Sequence, residues 1–96
     1  MLIQTPAQPN DTVTVKVLGG EEIIGRLVEQ TDTSITLHKP LAIMMGPQGF
    51  GLGPFVMTAS DVTEVVISKA HVLTTVKTDK KVADQYIKQT TGIQLV

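Results

Sequence analysis

Hydrophobic and polar residues alternate through VTVKVLGGEEIIGRLVEQTDTSITL, the segment from residue 13 to residue 37. Val13, Val15 and Val17 alternate with polar neighbours, and apolar residues recur between positions 23 and 28 and again around Ile35. Alternation with a period of two is typical of strands that bury one face. This segment therefore predicts three β-strands joined by two turns.

Glycines mark two special positions in this segment. Gly19 and Gly20 follow the first strand and tolerate the positive φ angles that tight hairpin turns require. Gly25 lies inside the second strand, where a glycine is unfavourable unless the sheet bends sharply or another backbone comes close. A sharp bend at Gly25 favours a small barrel.

The third strand is predicted to continue beyond a kink at Pro40 through the apolar run Leu41 to Met45. The glycine-rich and proline-rich segment 46–54 that follows is predicted to be an irregular loop. Its Phe50 and Leu52 either pack on a neighbouring subunit or are exposed for contact. This segment lacks the Gly-Lys-Ser/Thr ending of a P-loop, so it does not predict a phosphate-binding loop.

Two more strands and a helix complete the predicted fold. Segments 55–59 and 62–67 favour one long fourth strand bent by a bulge at Ser60-Asp61, and 72–77 forms the fifth strand. A helix is expected from about Lys80 to Thr91, capped by Thr78 or Asp79 and stopped by Gly92. Its apolar residues share one face at helical spacing. They are Val82, Ala83, Tyr86 and Ile87, and Thr90 lies on the same face. So short a helix must dock on the sheet to be stable.

The segment 13–37 resembles the first Sm motif of the Sm-like family, which includes Hfq. The segment from Ile67 to Val76, ISKAHVLTTV, resembles the second Sm motif in its Hfq form. The resemblance implies a mostly β fold, a small and strongly bent five-stranded antiparallel Sm-like barrel with a C-terminal α-helix. It also implies a homo-oligomeric ring of about five to seven subunits, in which the fourth strand of one subunit pairs with the fifth strand of the next.

Three regions follow from this interpretation: an N-terminal arm at 1–12, the barrel at 13–77, and the helix and tail at 78–96. Pro6 and Pro9 oppose a regular helix in the arm, although many Sm-like proteins begin with one. The arm is then either flexible and extended or packed on a neighbouring subunit. The C-terminal helix is expected to cover the barrel end left open.

The resemblance also implies a base-binding site where the two motif turns converge at the pore. The first turn supplies Asp32, Thr33 and Ser34, and the second supplies Lys69 and His71. His71 is displaced by one position, because Ala70 occupies the place where Hfq carries its histidine. The first turn also offers no aromatic side chain on which a base can stack. These residues either contact RNA or serve only the structure of the turns.

Composition limits the chemistry. The chain has a formal net charge of −1, only three aromatic residues and no cysteine. A basic footprint with stacking aromatics, the usual sign of nucleic-acid binding, is not prominent, although a ring would concentrate a few lysines around one pore. Two histidines and scattered carboxylates form no recognisable catalytic set or metal site, and His38 is expected to be an ordinary surface or strand histidine. The sequence therefore predicts no enzyme, no metal and no cofactor.

No signal peptide or membrane-spanning run is evident, so a cytoplasmic protein without a membrane partner is expected. The leading functional hypothesis is a ring that binds single-stranded RNA as an RNA chaperone or RNA-processing factor. The alternative is a ring that serves as a structural or protein-interaction scaffold without binding nucleic acid. The subunit number and the RNA sequence do not follow from the residues.

Overall fold

The computed structural model describes residues 7–56 and 63–91. Its elements are β1 (Thr12–Val17), β2 (Glu22–Gln30), β3 (Ser34–Gly46), β4 (Gly49–Pro54), β5 (Glu64–Ser68), a 3₁₀ turn (Lys69–His71), β6 (Val72–Lys77) and α1 (Lys80–Thr91). All strand pairs are antiparallel. The predicted mostly β fold with a C-terminal helix is confirmed.

The strands form one six-stranded sheet centred on β3. Its order is β4-β3-β2-β1-β6, and β5 also pairs with β3. Residues 34–38 of β3 pair with β5, whereas residues 41–46 pair with β4. β5 therefore pairs with the first part of β3, and β4 pairs with its last part. Within the described residues no strand pair joins the two ends of the sheet, so the sheet is not closed.

The hydrophobic core lies on one face of β1, β2 and β3, because these strands alternate buried and more exposed residues. Its fully buried members are the aliphatic side chains of Val13, Val15, Ile23, Leu27, Ile35 and Leu37. Ile67 of β5 and Val72 of β6 pack against them. The alternation seen in the sequence thus marks the core.

Gly25 occupies a point of close contact between β2 and β3, and close contact is one of the two explanations that its position in the strand left open. A Cβ atom at this position would lie 3.0 Å from Cβ of Leu37. The β2–β3 register also shifts between Ile24 and Arg26, which marks an irregularity in the ladder. The predicted turn is confirmed as well, because Gly20 has a φ of 93°.

The kink predicted at Pro40 is confirmed, and the unusual backbone conformation lies at the preceding residue, Lys39. Lys39 has a φ of 48°, in the left-handed region that a lysine rarely adopts. Its N–H donates to the carbonyl oxygen of Thr63, just before β5. Beyond the kink β3 continues to Gly46, as expected for the apolar run after Pro40.

The prediction of an irregular loop at 46–54 is wrong, which is why the sheet has six strands rather than five. Gly46 and Gly49 pair across a two-residue turn, and residues 49–54 form β4. Glycines alternate with bulkier residues along β4, which is a strand pattern that the glycine and proline content concealed.

The bent fourth strand predicted over 55–67 begins just after the end of β4 and overlaps β5. Phe55 and Val56, predicted to begin that strand, form a bend instead. Residues 57–62, including the predicted bulge at Ser60-Asp61, lie outside the described residues. The later part is present as β5, from Glu64 to Ser68.

Helix α1 covers the predicted residues, from Lys80 to Thr91. The carbonyl oxygen of Asp79 accepts the first helical hydrogen bond, from the N–H of Ala83, at 2.8 Å. Tyr86 on the predicted apolar face is buried, with 3% of its surface exposed. The predicted stop at Gly92 lies outside the described residues. In the N-terminal arm, residues 7–11 form no helix, and residues 1–6 also lie outside the described part.

Candidate functional site

The two turns named from the Sm motifs meet in the structure. The N–H of Lys69 donates to the carbonyl oxygen of Thr33 at 2.9 Å. Ser34 and Ser68, the neighbours of these residues, are cross-strand partners in the β3–β5 ladder. Residues separated by 36 positions in the sequence are therefore held together by backbone hydrogen bonding.

The first turn is organised by the hydroxyl of Thr31. Its Oγ1 accepts hydrogen bonds from the N–H groups of Thr33 at 3.2 Å and Ser34 at 3.1 Å. The N–H of Thr31 in turn donates to the carbonyl oxygen of Ser34 at 2.9 Å. Threonine hydroxyls commonly stabilise turns in this way. Asp32 and Thr33 are exposed at the tip of this turn.

The second turn is the 3₁₀ segment from Lys69 to His71. The hydroxyl of Ser68 accepts a hydrogen bond from the N–H of Ala70, and the N–H of Val72 donates back to the carbonyl oxygen of Lys69. The carbonyl oxygen of His71 accepts from the N–H of Leu18 at 2.9 Å, which ties this turn to the β1–β2 turn. His71 is exposed and Lys69 is half-buried.

All five predicted site residues therefore lie on two adjoining turns that close the same end of β3 and β5. Within the described residues, Lys69 takes part in none of the ion pairs, and Asp32 brings a carboxylate to the same pair of turns. Hydroxyls and main-chain groups supply the other polar contacts. No aromatic side chain belongs to either turn.

A second polar cluster, which the sequence interpretation did not include in the site, surrounds the kink in β3. Arg26 and His38 are cross-strand partners, and Lys39 follows at the kink. The hydroxyl of Tyr86 donates to the carbonyl oxygens of His38 at 2.7 Å and Lys39 at 3.0 Å, and it accepts from the N–H of Arg26 at 3.2 Å. The ammonium group of Lys39 donates to the carbonyl oxygen of Thr90 at 3.1 Å.

Burial and neighbouring charges shift two pKa values in this cluster. Burial lowers the pKa of His38 below its usual value, and the positive charges of Arg26 and Lys39 lower it further, against an opposing effect of Glu64. Burial raises the pKa of Tyr86, although the hydrogen bond from the N–H of Arg26 acts in the opposite direction. His38 is therefore held neutral near pH 7 beside two cations. The sequence offered two signals for this cluster: the adjacent basic residues His38 and Lys39, and Arg26 directly after Gly25.

β5 and β6 each have an unpaired edge among the described residues, and both carry exposed apolar side chains. Within the part of the chain that the structure describes, β5 pairs only with β3, and β6 pairs only with β1. Val66 on β5 is 67% exposed and Leu73 on β6 is 59% exposed. Uncovered strand edges with apolar side chains are suited to pairing with another strand.

No protein-family model matches the sequence, and no curated protein has significant similarity to it. In residues 7–56 and 63–91, no helix is long and apolar enough to cross a membrane. The same residues hold no group of three or more histidine or carboxylate side chains placed to bind a metal ion.

Proposed function

We propose that the chain is an Sm-like protein that assembles into a homo-oligomeric ring and binds single-stranded RNA at the paired turns. The observation that carries this proposal is the hydrogen bond from the Lys69 N–H to the Thr33 carbonyl oxygen. The resemblance requires that the two motif turns converge. They were identified separately in the sequence, and their contact supports the pairing.

The sheet topology supports the Sm-like part of the proposal. β4 and β5 pair with the same strand on opposite sides of its kink at Lys39, so both follow the bend of β3. Bends of this kind, at Gly25 and at Lys39, allow a short sheet to curl toward a barrel. In the proposed protein the sheet closes into such a barrel.

The edges of β5 and β6 support the ring. In the proposed assembly, the β5 edge of one subunit pairs with the β6 edge of the next, and Val66 and Leu73 become buried there. A head-to-tail contact of this kind uses a different edge on each side and closes into a ring when the rotation between subunits permits. Each subunit would then bring Lys69 to the same radius, and the lysines would add their charge around one pore.

The alternative function, a ring scaffold without nucleic-acid binding, is favoured by a different observation. The net charge is −1, and the three aromatic residues Phe50, Phe55 and Tyr86 all lie outside the paired turns. Stacking on aromatics usually contributes about 1–3 kcal/mol per base in single-strand binding. RNA held at these turns would therefore rely on phosphate contacts and hydrogen bonds.

Two measurements test the proposal. Light scattering on the dilute protein should give the mass of a closed oligomer, and a stable monomer would contradict the ring. Labelled oligoU and oligoA should then bind at low salt, with an affinity that falls steeply as salt is added, because phosphate contacts release counterions. An intact ring that binds neither oligonucleotide at low salt would establish the scaffold instead.

A further inference from the structure

A pocket of about 260 Å³ lies beside the kink of β3, where β2 and β3 meet α1. Its lining includes Arg26, His38 and Lys39, together with Asn10 and Thr12. Cationic and hydrogen-bond-donating groups therefore face one small space. It is separate from the paired turns, because no residue of either turn lines it.

The guanidinium group of Arg26 is the principal charge of this pocket. Three ion pairs form among the described residues, Lys16–Glu22, Lys77–Asp11 and Lys80–Asp84, and none includes Arg26. Its cross-strand partner is His38, not a carboxylate. An arginine that faces a pocket without an acidic partner is suited to an anionic ligand, because its planar group donates several hydrogen bonds in parallel.

The remaining groups add donors around this charge. Lys39 donates to the carbonyl oxygen of Thr90, so its ammonium group offsets the negative end of α1 that borders the pocket. Asn10 has a φ of 78°, and its N–H donates to the carbonyl oxygen of Leu27, which holds it beside β2. The Asn10 amide and the Thr12 hydroxyl can each donate to a ligand oxygen. Glu64 is the partner of His38 in the β3–β5 ladder, so one carboxylate lies next to the cluster, although it does not line the pocket.

From this geometry we propose that the pocket binds a phosphate group, with Arg26 as its main ligand and His38, Asn10 and Thr12 as further hydrogen-bond donors. Its donors suit a tetrahedral anion, and its volume leaves room for one. If the RNA-binding function proposed above holds, on which this part of the inference rests, the ligand is a backbone phosphate of the same RNA. Otherwise it is free phosphate.

Arg26→Gln removes the charge with little change in length, and the wild-type side chain is exposed, so the variant should fold normally. Its main-chain N–H still reaches Tyr86, because that hydrogen bond does not involve the side chain. Lys81→Gln is the matched control, since Lys81 is an exposed cation on α1 that does not line the pocket.

The first test is an NMR titration of the full-length protein with inorganic phosphate. Saturable chemical-shift changes should appear at Arg26, His38, Asn10 and Thr12. Arg26→Gln should raise the dissociation constant for phosphate by about tenfold or more, because it removes a charged hydrogen-bonding partner. Lys81→Gln should bind as the wild type does. Absence of saturable shifts at these residues in the wild type would overturn the proposed pocket.

The second test measures oligoU binding against salt for the same three proteins. Loss of one backbone phosphate contact in Arg26→Gln should reduce the salt slope by about 0.7. An unchanged slope, with phosphate binding intact in the wild type, would assign the pocket to free phosphate. Wild-type protein that binds phosphate but no RNA would refute the RNA function and leave the phosphate pocket standing. Wild-type protein that binds RNA but shows no saturable shifts with phosphate would refute the pocket and leave the RNA function standing.

Discussion

The hydroxyl of Tyr86 on α1 donates a hydrogen bond to the main-chain carbonyl oxygen of His38 on β3, at 2.7 Å. This contact lies where the β3 backbone turns at Lys39, and the same hydroxyl also reaches the N–H of Arg26 on β2. A register shift and a left-handed residue leave main-chain groups that the sheet ladder cannot pair, and buried main-chain groups require partners. Tyr86 supplies them, so the helix completes the sheet at its kink.

Replacing Tyr86 with Phe should destabilise the protein, because it removes the hydroxyl while keeping the ring. We expect a loss of about 1–3 kcal/mol in the free energy of unfolding, the usual cost of unpaired buried polar groups. Urea denaturation measures this loss. Gln89→Ala is the control, since Gln89 makes an exposed hydrogen bond from the same helix to the carbonyl oxygen of Leu52. Equal effects of the two substitutions would contradict the role assigned to Tyr86.

Gly25→Ala should also destabilise the protein. The added Cβ would lie 3.0 Å from Cβ of Leu37, a buried core residue with little room to move. Overpacking of this kind typically costs about 1–3 kcal/mol, which thermal or urea unfolding will detect. Gly51→Ala is the matched control, because a Cβ at Gly51 meets nothing within 4 Å. A Gly25→Ala protein as stable as the Gly51→Ala protein would show that β2 and β3 can separate without cost.

The stability of the protein should fall as the pH is lowered below about 6.5, the usual pKa of histidine. The pKa of His38 is lowered in the folded protein, so the unfolded chain takes up a proton first and acid favours unfolding. The loss begins near the unfolded pKa and continues down to the folded one.

Two histidine variants and one arginine variant test this assignment. His38→Gln should reduce the pH dependence, while His71→Gln is the control for loss of a histidine. An NMR titration of His38 should show its pKa rising in Arg26→Gln, because the guanidinium group contributes to lowering it. A His38 pKa at or above 6.5 in the wild type would contradict the prediction.

If the RNA-binding proposal holds, Lys69→Ala should weaken oligoU binding and flatten its salt dependence by about 0.7 in slope. Lys69 is half-buried, but the hydrogen bond to Thr33 uses its main-chain N–H, so the paired turns should persist. Lys88→Ala on the exposed side of α1 removes the same charge and should have little effect. Unchanged affinity of Lys69→Ala in an intact oligomer would remove Lys69 from the site.

Val66→Glu should prevent ring assembly without unfolding the subunit. Val66 is 67% exposed, so a charge there is tolerated in the isolated chain but is costly at a buried contact between β5 and β6. Mass measured by light scattering should fall to that of a monomer. Met45→Glu is the control. It places the same charge at an 80% exposed position on β3, where β3 pairs with β4 and not with β5 or β6, and this variant should assemble normally. Assembly of Val66→Glu at full size would exclude the proposed edge contact.

The sequence by itself determined the elements that depend on local pattern. Alternation predicted β1, β2 and the start of β3, and the spacing of residues on one helical face predicted α1 over the residues that it occupies. Gly25 marked a point of sharp bending or close approach, and Pro40 predicted a kink, because a glycine has no Cβ and a proline cannot donate to a sheet ladder. The two motif turns could be named in advance, and the resemblance also implied that they converge.

Tertiary structure decided what depends on pairing between distant residues. The Gly-rich segment 46–54 has weak strand propensity, and only its ladder with β3 makes it β4. The left-handed backbone of Lys39 depends on contacts with Thr63 and Tyr86, which no local pattern specifies. The pocket at Arg26 arises for the same physical reason: β2, β3 and α1 bring their polar groups together only after the strands pair and the helix docks on the kink.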